Sequence, residues 1–207
     1  MNARASFLSS NSPVIIGILR GYAPEIVEQI AKAWFRADYS FLEITLNSPS
    51  ALEIISHLEK TSGLTIGAGT VCNTSDLEKA LAAGAKFIVC PILDEEVVKE
   101  CVRQNVPVFP GAFTPTEIYR AWALGATMVK VFPAGMLGPS YIREVLAPLN
   151  QIALLPTGGV TPSNIREFLQ AGARGFGMGS HLFPQSFITG QNWEDLYLHL
   201  KNFKDSL

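Results

Sequence analysis

The sequence predicts an α/β chain folded as a single-domain (β/α)8 barrel, the TIM-barrel architecture. Three observations carry this. Strand-like and helix-like segments alternate along almost the whole of the 207 residues. The strand-like runs recur about every 20 to 25 residues, the length of one βα unit. The phrases Ala82-Ala83-Gly84-Ala85, Ala123-Leu124-Gly125-Ala126 and Gln170-Ala171-Gly172-Ala173 repeat one junction, in which a helix stops at Gly and a strand begins at once. Eight strands each followed by a helix close such a barrel. No Pro/Ser-rich linker or low-complexity tract divides the chain, so residues 1–207 are expected to form one domain. A doubly wound open sheet is the structural alternative.

The expected strands are 14–19, 39–45, 64–68, 86–90, 107–109, 126–132, 152–155 and 175–178, all short apolar runs. The expected helices are 25–37, 50–60, 74–83, 95–104, 115–124, 140–146, 162–171 and about 193–203. The first helix places Ile26, Ile30, Ala33 and Trp34 on one face. Helix starts are marked by Thr74-Ser75-Asp76, Thr114-Pro115 and Thr161-Pro162. Helix stops are marked by Gly84, Gly125 and Gly172.

Composition narrows the function. Hydrophobic residues make up 48% and charged residues 16%, which suits a parallel sheet buried on both faces. A net charge of −2 gives no electrostatic basis for binding nucleic acid or a membrane surface. Cys72, Cys90 and Cys101 form no CxxC pattern, and His57, His181 and His199 lack ligand spacing, so no metal is expected. Reduced thiols fit a cytoplasmic protein. The first residues are polar, unlike a secretory signal, and no run approaches the length of a membrane span.

Lys130 is the most informative residue. It lies inside Thr127-Met128-Val129-Lys130-Val131-Phe132-Pro133, an otherwise apolar strand. Alternation puts Met128, Lys130 and Phe132 on one face and Val129 and Val131 on the other. Desolvation there disfavours the ammonium. A free amine attacks a ketone to form a Schiff base. The bland alternative is a lysine at a strand end whose ammonium reaches water. Glu43, in Phe41-Leu42-Glu43-Ile44-Thr45, is likewise framed by apolar residues, and burial raises a carboxyl towards the range useful for moving protons. Its alternative is a structural ion pair with Arg20 or Lys130. Arg20 closes the first strand, and its guanidinium suits a carboxylate or phosphate.

Barrel chemistry sits at the C-terminal ends of the strands. The third strand ends in Gly67-Ala68-Gly69-Thr70. The seventh ends in Pro156-Thr157-Gly158-Gly159 and leads towards a helix; the eighth ends in Gly177-Met178-Gly179-Ser180. Glycines let backbone N–H groups approach an anion, and a helix N-terminus would add a favourable dipole. Together the two motifs suggest a phosphorylated ligand. The alternative is two turns that need positive φ.

These motifs resemble those of the 2-keto-3-deoxy-6-phosphogluconate and 4-hydroxy-2-oxoglutarate aldolase family, class I pyruvate aldolases. The resemblance rests on Ile18-Leu19-Arg20-Gly21, Leu42-Glu43-Ile44-Thr45, Gly67-Ala68-Gly69-Thr70-Val71, Lys130-Val131-Phe132-Pro133, Pro156-Thr157-Gly158-Gly159-Val160 and Gly179-Ser180, in order. It implies a homotrimer, no cofactor and a phosphorylated 2-keto acid as substrate. It implies that Lys130 forms the Schiff base and Glu43 is the acid/base. It further implies that Arg20 and Thr70 bind the keto-acid carboxylate, that Thr157 faces substrate, that Gly158, Gly159, Gly179 and Ser180 cradle phosphate, and that Pro91 and Phe132 line the pocket. Leu46-Asn47-Ser48-Pro49 reads as in the family's 6-phosphogalactonate branch, whereas Thr157 stands where that branch tends to carry an aliphatic residue. Two other readings use the same barrel. One is a metal-free sugar-phosphate isomerase or epimerase with Glu43 as base. The other is a non-catalytic sensor of phosphorylated sugar acids.

Overall fold

The computed structural model describes Phe7 and residues 12–207. Its strands are β1 Val14–Leu19, β2 Phe41–Thr45, β3 Thr65–Gly69, β4 Phe87–Val89, β5 Val108–Phe109, β6 Gly111–Ala112, β7 Val129–Val131, β8 Leu154–Pro156 and β9 Gly175–Met178. They pair in parallel in two ladders, β5-β4-β3-β2-β1-β9 and β6-β7-β8. The ladders join at both ends. A bridge between Thr157 and Gly177 links the exit of β8 to β9. At the other end, β5 and β6 are halves of one strand divided at Pro110, which has no N–H to give. Pro110 still accepts: the Lys130 N–H donates to its carbonyl at 2.9 Å, and the Thr127 N–H donates to Val108 O at 2.9 Å. The nine segments therefore make the eight strands of a closed barrel. The expected fifth strand, 107–109, omits Gly111–Ala112, because a proline reads as a stop from sequence alone.

The helices are α1 Pro24–Arg36, α2 Ala51–Thr61, α3 Thr74–Ala82, α4 Glu95–Arg103, α5 Pro115–Ala123, α6 Gly138–Leu146, α7 Ile165–Gln170, α8 Gln185–Thr189 and α9 Trp193–Asp205, with a 3-10 turn at Ala134–Met136. The three expected glycine stops hold. Gly84, Gly125 and Gly172 have φ of 98°, 102° and 103°. Each is followed by an N–H that reaches back five residues, as in Ala85 N–H to Ala80 O at 3.0 Å, which is the Schellman closure. Asp38 and Asn105, with φ of 60° and 56°, make the same turn after α1 and α4.

Two helix starts differ from expectation. Asn73, not Thr74, caps α3, its side chain accepting the Asp76 N–H at 2.8 Å. Thr161-Pro162 opens a turn rather than a helix, and α7 begins only at Ile165. Asn164 explains the delay. Its Oδ1 accepts the Thr161 N–H at 2.8 Å and its Nδ2 donates to Gly159 O at 2.9 Å, which ties the segment into a compact loop. Thr114 behaves as expected, forming a capping box with Glu117.

Packing follows the strand period. Leu42, Ile44, Ile66, Ala68, Ile88, Val108, Val129, Val131, Leu154 and Phe176 face the helices in the larger core. Val14, Ile16, Phe87, Val89, Phe109, Met128, Ala153 and Leu155 fill the lower barrel interior around Phe7. Glycines in this inner set make room for large neighbours. A Cβ on Gly67 would lie 2.3 Å from the Phe87 ring, and one on Gly177 would lie 2.5 Å from Thr157 Oγ1. Above this apolar floor the inner positions turn polar, with Glu43 on β2, Lys130 on β7 and Thr157 just past β8.

Candidate active site

Lys130 is 5% exposed and Glu43 is 1% exposed. Register places Lys130 between Gly111 of β6 and Leu155 of β8. Glu43 sits between Ile18 of β1 and Gly67 of β3. Burial pushes the Lys130 amine below its ordinary value; the Glu43 charge opposes this shift and the Arg20 charge adds to it. Burial likewise pushes the Glu43 carboxyl up, while Lys130 and Arg20 pull it back. Both groups are thus biased towards their neutral forms. Among the described residues no salt bridge joins Glu43 to Lys130 or Arg20. Glu43 Oε2 is buried without a hydrogen-bond partner. A closed structural ion pair would satisfy these atoms, and this one does not form. An unpartnered buried carboxylate oxygen costs stability, so its retention points to a role with a ligand.

The lysine also meets an aromatic ring. Its Nζ lies 5.0 Å from the centroid of the Phe132 ring. Phe132 is part-exposed and lines a cleft of about 460 Å³ together with Pro91, Ile92 and Phe113. Phe132 is therefore beside the amine, and Pro91 shares a cleft with Phe132. The carboxylate has its own platform. A Cβ on Gly69 would fall 1.8 Å from Glu43 Oε1, so the carboxylate lies directly over the backbone of β3. Thr70 follows with φ of 61°, left-handed backbone that a β-branched residue rarely adopts. Strain of this kind costs about 1 to 3 kcal/mol and clusters at functional sites.

Arg20 is exposed at the end of β1. Its Nη1 donates to Asn47 Oδ1 at 3.1 Å, so it pairs with Asn47 and not with Glu43. This removes the expectation that its bland role is to neutralise the carboxylate. Thr157, just past β8 and one strand removed from β1 across β9, is buried, and its Oγ1 donates to Leu155 O at 3.4 Å. Gly158 and Gly159 both have φ of 78°. Gly158 packs on the Phe132 ring, and a Cβ on Gly159 would lie 2.6 Å from Gly135 Cα. Glycine is therefore required here both for positive φ and for close backbone approach. Among the described residues, no intramolecular acceptor takes the backbone N–H groups of Gly158, Gly159, Gly179 or Ser180. The sequence also expected the dipole of a helix starting at Pro162. The turn at 162–164 removes that contribution, leaving the loop N–H groups alone to meet an anion.

Nine of the eleven expected site residues lie just beyond the C-terminal strand ends, while Glu43 and Lys130 project from within β2 and β7. Three contributors were missed. Gly69 stood in a quoted motif but its contact with Glu43 is made across strands. Asn47 acts through a side-chain hydrogen bond to Arg20 on another loop, and Asn164 through side-chain hydrogen bonds within its own loop. The sequence signal is, for Asn47, an Asn in a short loop directly after a strand and, for Asn164, an Asn just before a helix.

Comparison with known proteins identifies the family and the fold. The family model for KDPG and KHG aldolase matches residues 10–198. A probable 2-dehydro-3-deoxy-6-phosphogalactonate aldolase from Rhizobium meliloti (strain 1021) is 36% identical over 179 residues, covering 85% of this chain and 84% of the relative. The structure described as native KDPGal superposes with a TM-score of 0.86 at 34% identity, covering 95% of each chain. The KDPG aldolase from Legionella pneumophila, solved with pyruvate captured as a covalent carbinolamine, gives a TM-score of 0.87 at 26% identity over 98% of each chain. With a family match across nearly the whole barrel and the same fold in solved relatives, the chain belongs to the KDPG and KHG aldolase family.

Proposed function

We propose that the protein is a class I pyruvate aldolase, an aldehyde-lyase that cleaves 2-keto-3-deoxy-6-phosphogluconate or its galactonate epimer to pyruvate and glyceraldehyde 3-phosphate. 4-Hydroxy-2-oxoglutarate, giving pyruvate and glyoxylate, is a further substrate. The observation that carries this reading is the Lys130 amine, desolvated and without an ion-pair partner, inside a barrel that also buries an unpaired carboxyl group.

The neutral amine attacks the C2 ketone, and loss of water leaves an iminium. Glu43, directly or through a water, takes the proton of the C4 hydroxyl. The C3–C4 bond breaks, its electron pair flows into the iminium, and the aldehyde departs. The resulting enamine is protonated at C3, and hydrolysis releases pyruvate and the amine. Arg20 and Thr70 hold the C1 carboxylate, with Thr157 facing the substrate. The N–H groups of Gly158, Gly159, Gly179 and Ser180 hold the phosphate, and Pro91 and Phe132 wall the pocket.

Borohydride reduction in the presence of pyruvate tests this. The expected result is an adduct mass on the peptide containing Lys130. A peptide that stays unmodified removes the Schiff base and returns the site to an isomerase or a sensor, neither of which forms an adduct.

We also place the protein in the cytoplasm, where Cys72, Cys90 and Cys101 stay reduced; recovery from an oxidising compartment would remove that assignment. A homotrimer is proposed from the family resemblance. Ile92, Phe113, Phe132 and Met136 offer exposed apolar surface beside the site for such contacts. Sedimentation should give the mass of three chains, and a single-chain mass at micromolar concentration would exclude the trimer.

A further inference from the structure

The residues around Arg20 form a connected device. The Gly21 N–H donates to Ser48 Oγ at 2.9 Å. Ser48 Oγ lies 2.9 Å from Thr45 Oγ1. The Thr45 hydroxyl donates to Leu19 O at 3.3 Å. Each hydroxyl has one proton, so the directions are fixed. Thr45 spends its proton on Leu19, so Ser48 must donate to Thr45 and accept from Gly21. The chain of hydrogen bonds runs one way, from Gly21 through Ser48 and Thr45 to Leu19. It grips the backbone on both sides of Arg20. Asn47 completes the bracket by holding the guanidinium itself at 3.1 Å. Thr45 is fully buried, so one end of the chain is anchored in the barrel wall, whereas Arg20 is exposed.

An exposed arginine samples many rotamers, and ordering it on binding costs free energy. A guanidinium already held in place binds a carboxylate without that cost. We propose that Thr45, Asn47 and Ser48 are positioning residues that aim Arg20 at the carboxylate of the keto acid. The inference rests on the aldolase reading and on Arg20 as the carboxylate ligand. It adds that the β2 exit loop sets the affinity for the acid end of the substrate.

The test is steady-state cleavage of 2-keto-3-deoxy-6-phosphogluconate and its galactonate epimer, with pyruvate trapping by borohydride. Ser48→Ala should raise KM about tenfold, equivalent to about 1.4 kcal/mol, while kcat and the adduct at saturating pyruvate change less than about twofold. Ser48→Thr, which keeps the hydroxyl, should restore KM. Asn47→Asp should raise KM more than Asn47→Ala, because a carboxylate on Arg20 competes with the substrate's own. The Ser48→Ala effect should vanish in an Arg20→Ala background, which a loss of general loop stability would not do. If Arg20→Ala raises KM but Ser48→Ala does not, the positioning role is overturned and the aldolase reading stands. If Arg20→Ala leaves KM unchanged, Arg20 is not the carboxylate ligand, and the inference falls with that assignment.

Discussion

Lys130→Met abolishes both cleavage and the pyruvate adduct, and yields a protein at least as stable as its parent. The loss of kcat is about four orders of magnitude or more, as expected when a covalent nucleophile is removed. The stability gain follows from linkage. The folded pKa of Lys130 lies below its ordinary 10.5 because burial opposes the charge. Between the two values the unfolded chain carries a proton that the native chain lacks. Stability therefore rises with pH across that window, and the cost of burying the amine is complete below the folded value. Methionine fills a similar volume without that cost. Urea unfolding at neutral pH should show a gain of about 1 to 4 kcal/mol, the range seen when buried ionic groups give way to apolar ones. The gain should shrink towards zero as pH rises past 10.5, where both states of the parent are neutral. A variant less stable than its parent at neutral pH would mean that the amine is a structural partner, and that its burial was misread.

Glu43→Gln has the second largest effect, and it falls on a different step. Gln matches the shape of Glu and fits over Gly69, so Schiff-base formation by Lys130 should survive. Borohydride should still trap pyruvate. Turnover should fall about 10² to 10⁴-fold, the usual worth of a positioned acid/base group. The pH profile supplies an independent check. The folded Glu43 carboxyl titrates above its ordinary 4.5, chiefly because of burial. It acts as a base only once ionised, so the acid limb of the parent's kcat profile should lie above that value. The Gln variant should lack this limb. Full turnover, or an unchanged limb, would remove Glu43 from the proton transfer.

The barrel was legible because its signals are local and repeated. The glycine stops at 84, 125 and 172 need only a helix and a left-handed turn, both written in adjacent residues. Lys130 and Glu43 stood out because a charge within an apolar strand has few innocent explanations. What stayed hidden depends on contacts between strands. Pro110 reads as a break, yet its carbonyl still serves the Lys130 N–H. The late start of α7 is set by Asn164 reaching back to Gly159. The partner of Arg20 is a loop residue 27 positions away, and nothing in the adjacent residues favours Asn47 over Glu43.

The place of Glu43 over Gly69 also limits how this site can change over evolutionary time. Any side chain at 69 collides with the acid on the adjacent strand, so position 69 can grow only after position 43 has shrunk. Moving the proton-transfer group to a neighbouring strand would require two coordinated exchanges, with an inactive or badly packed ancestor between them. Sequence drift at the rim can retune which sugar acid is accepted, while the acid and the bare backbone beneath it stay locked together.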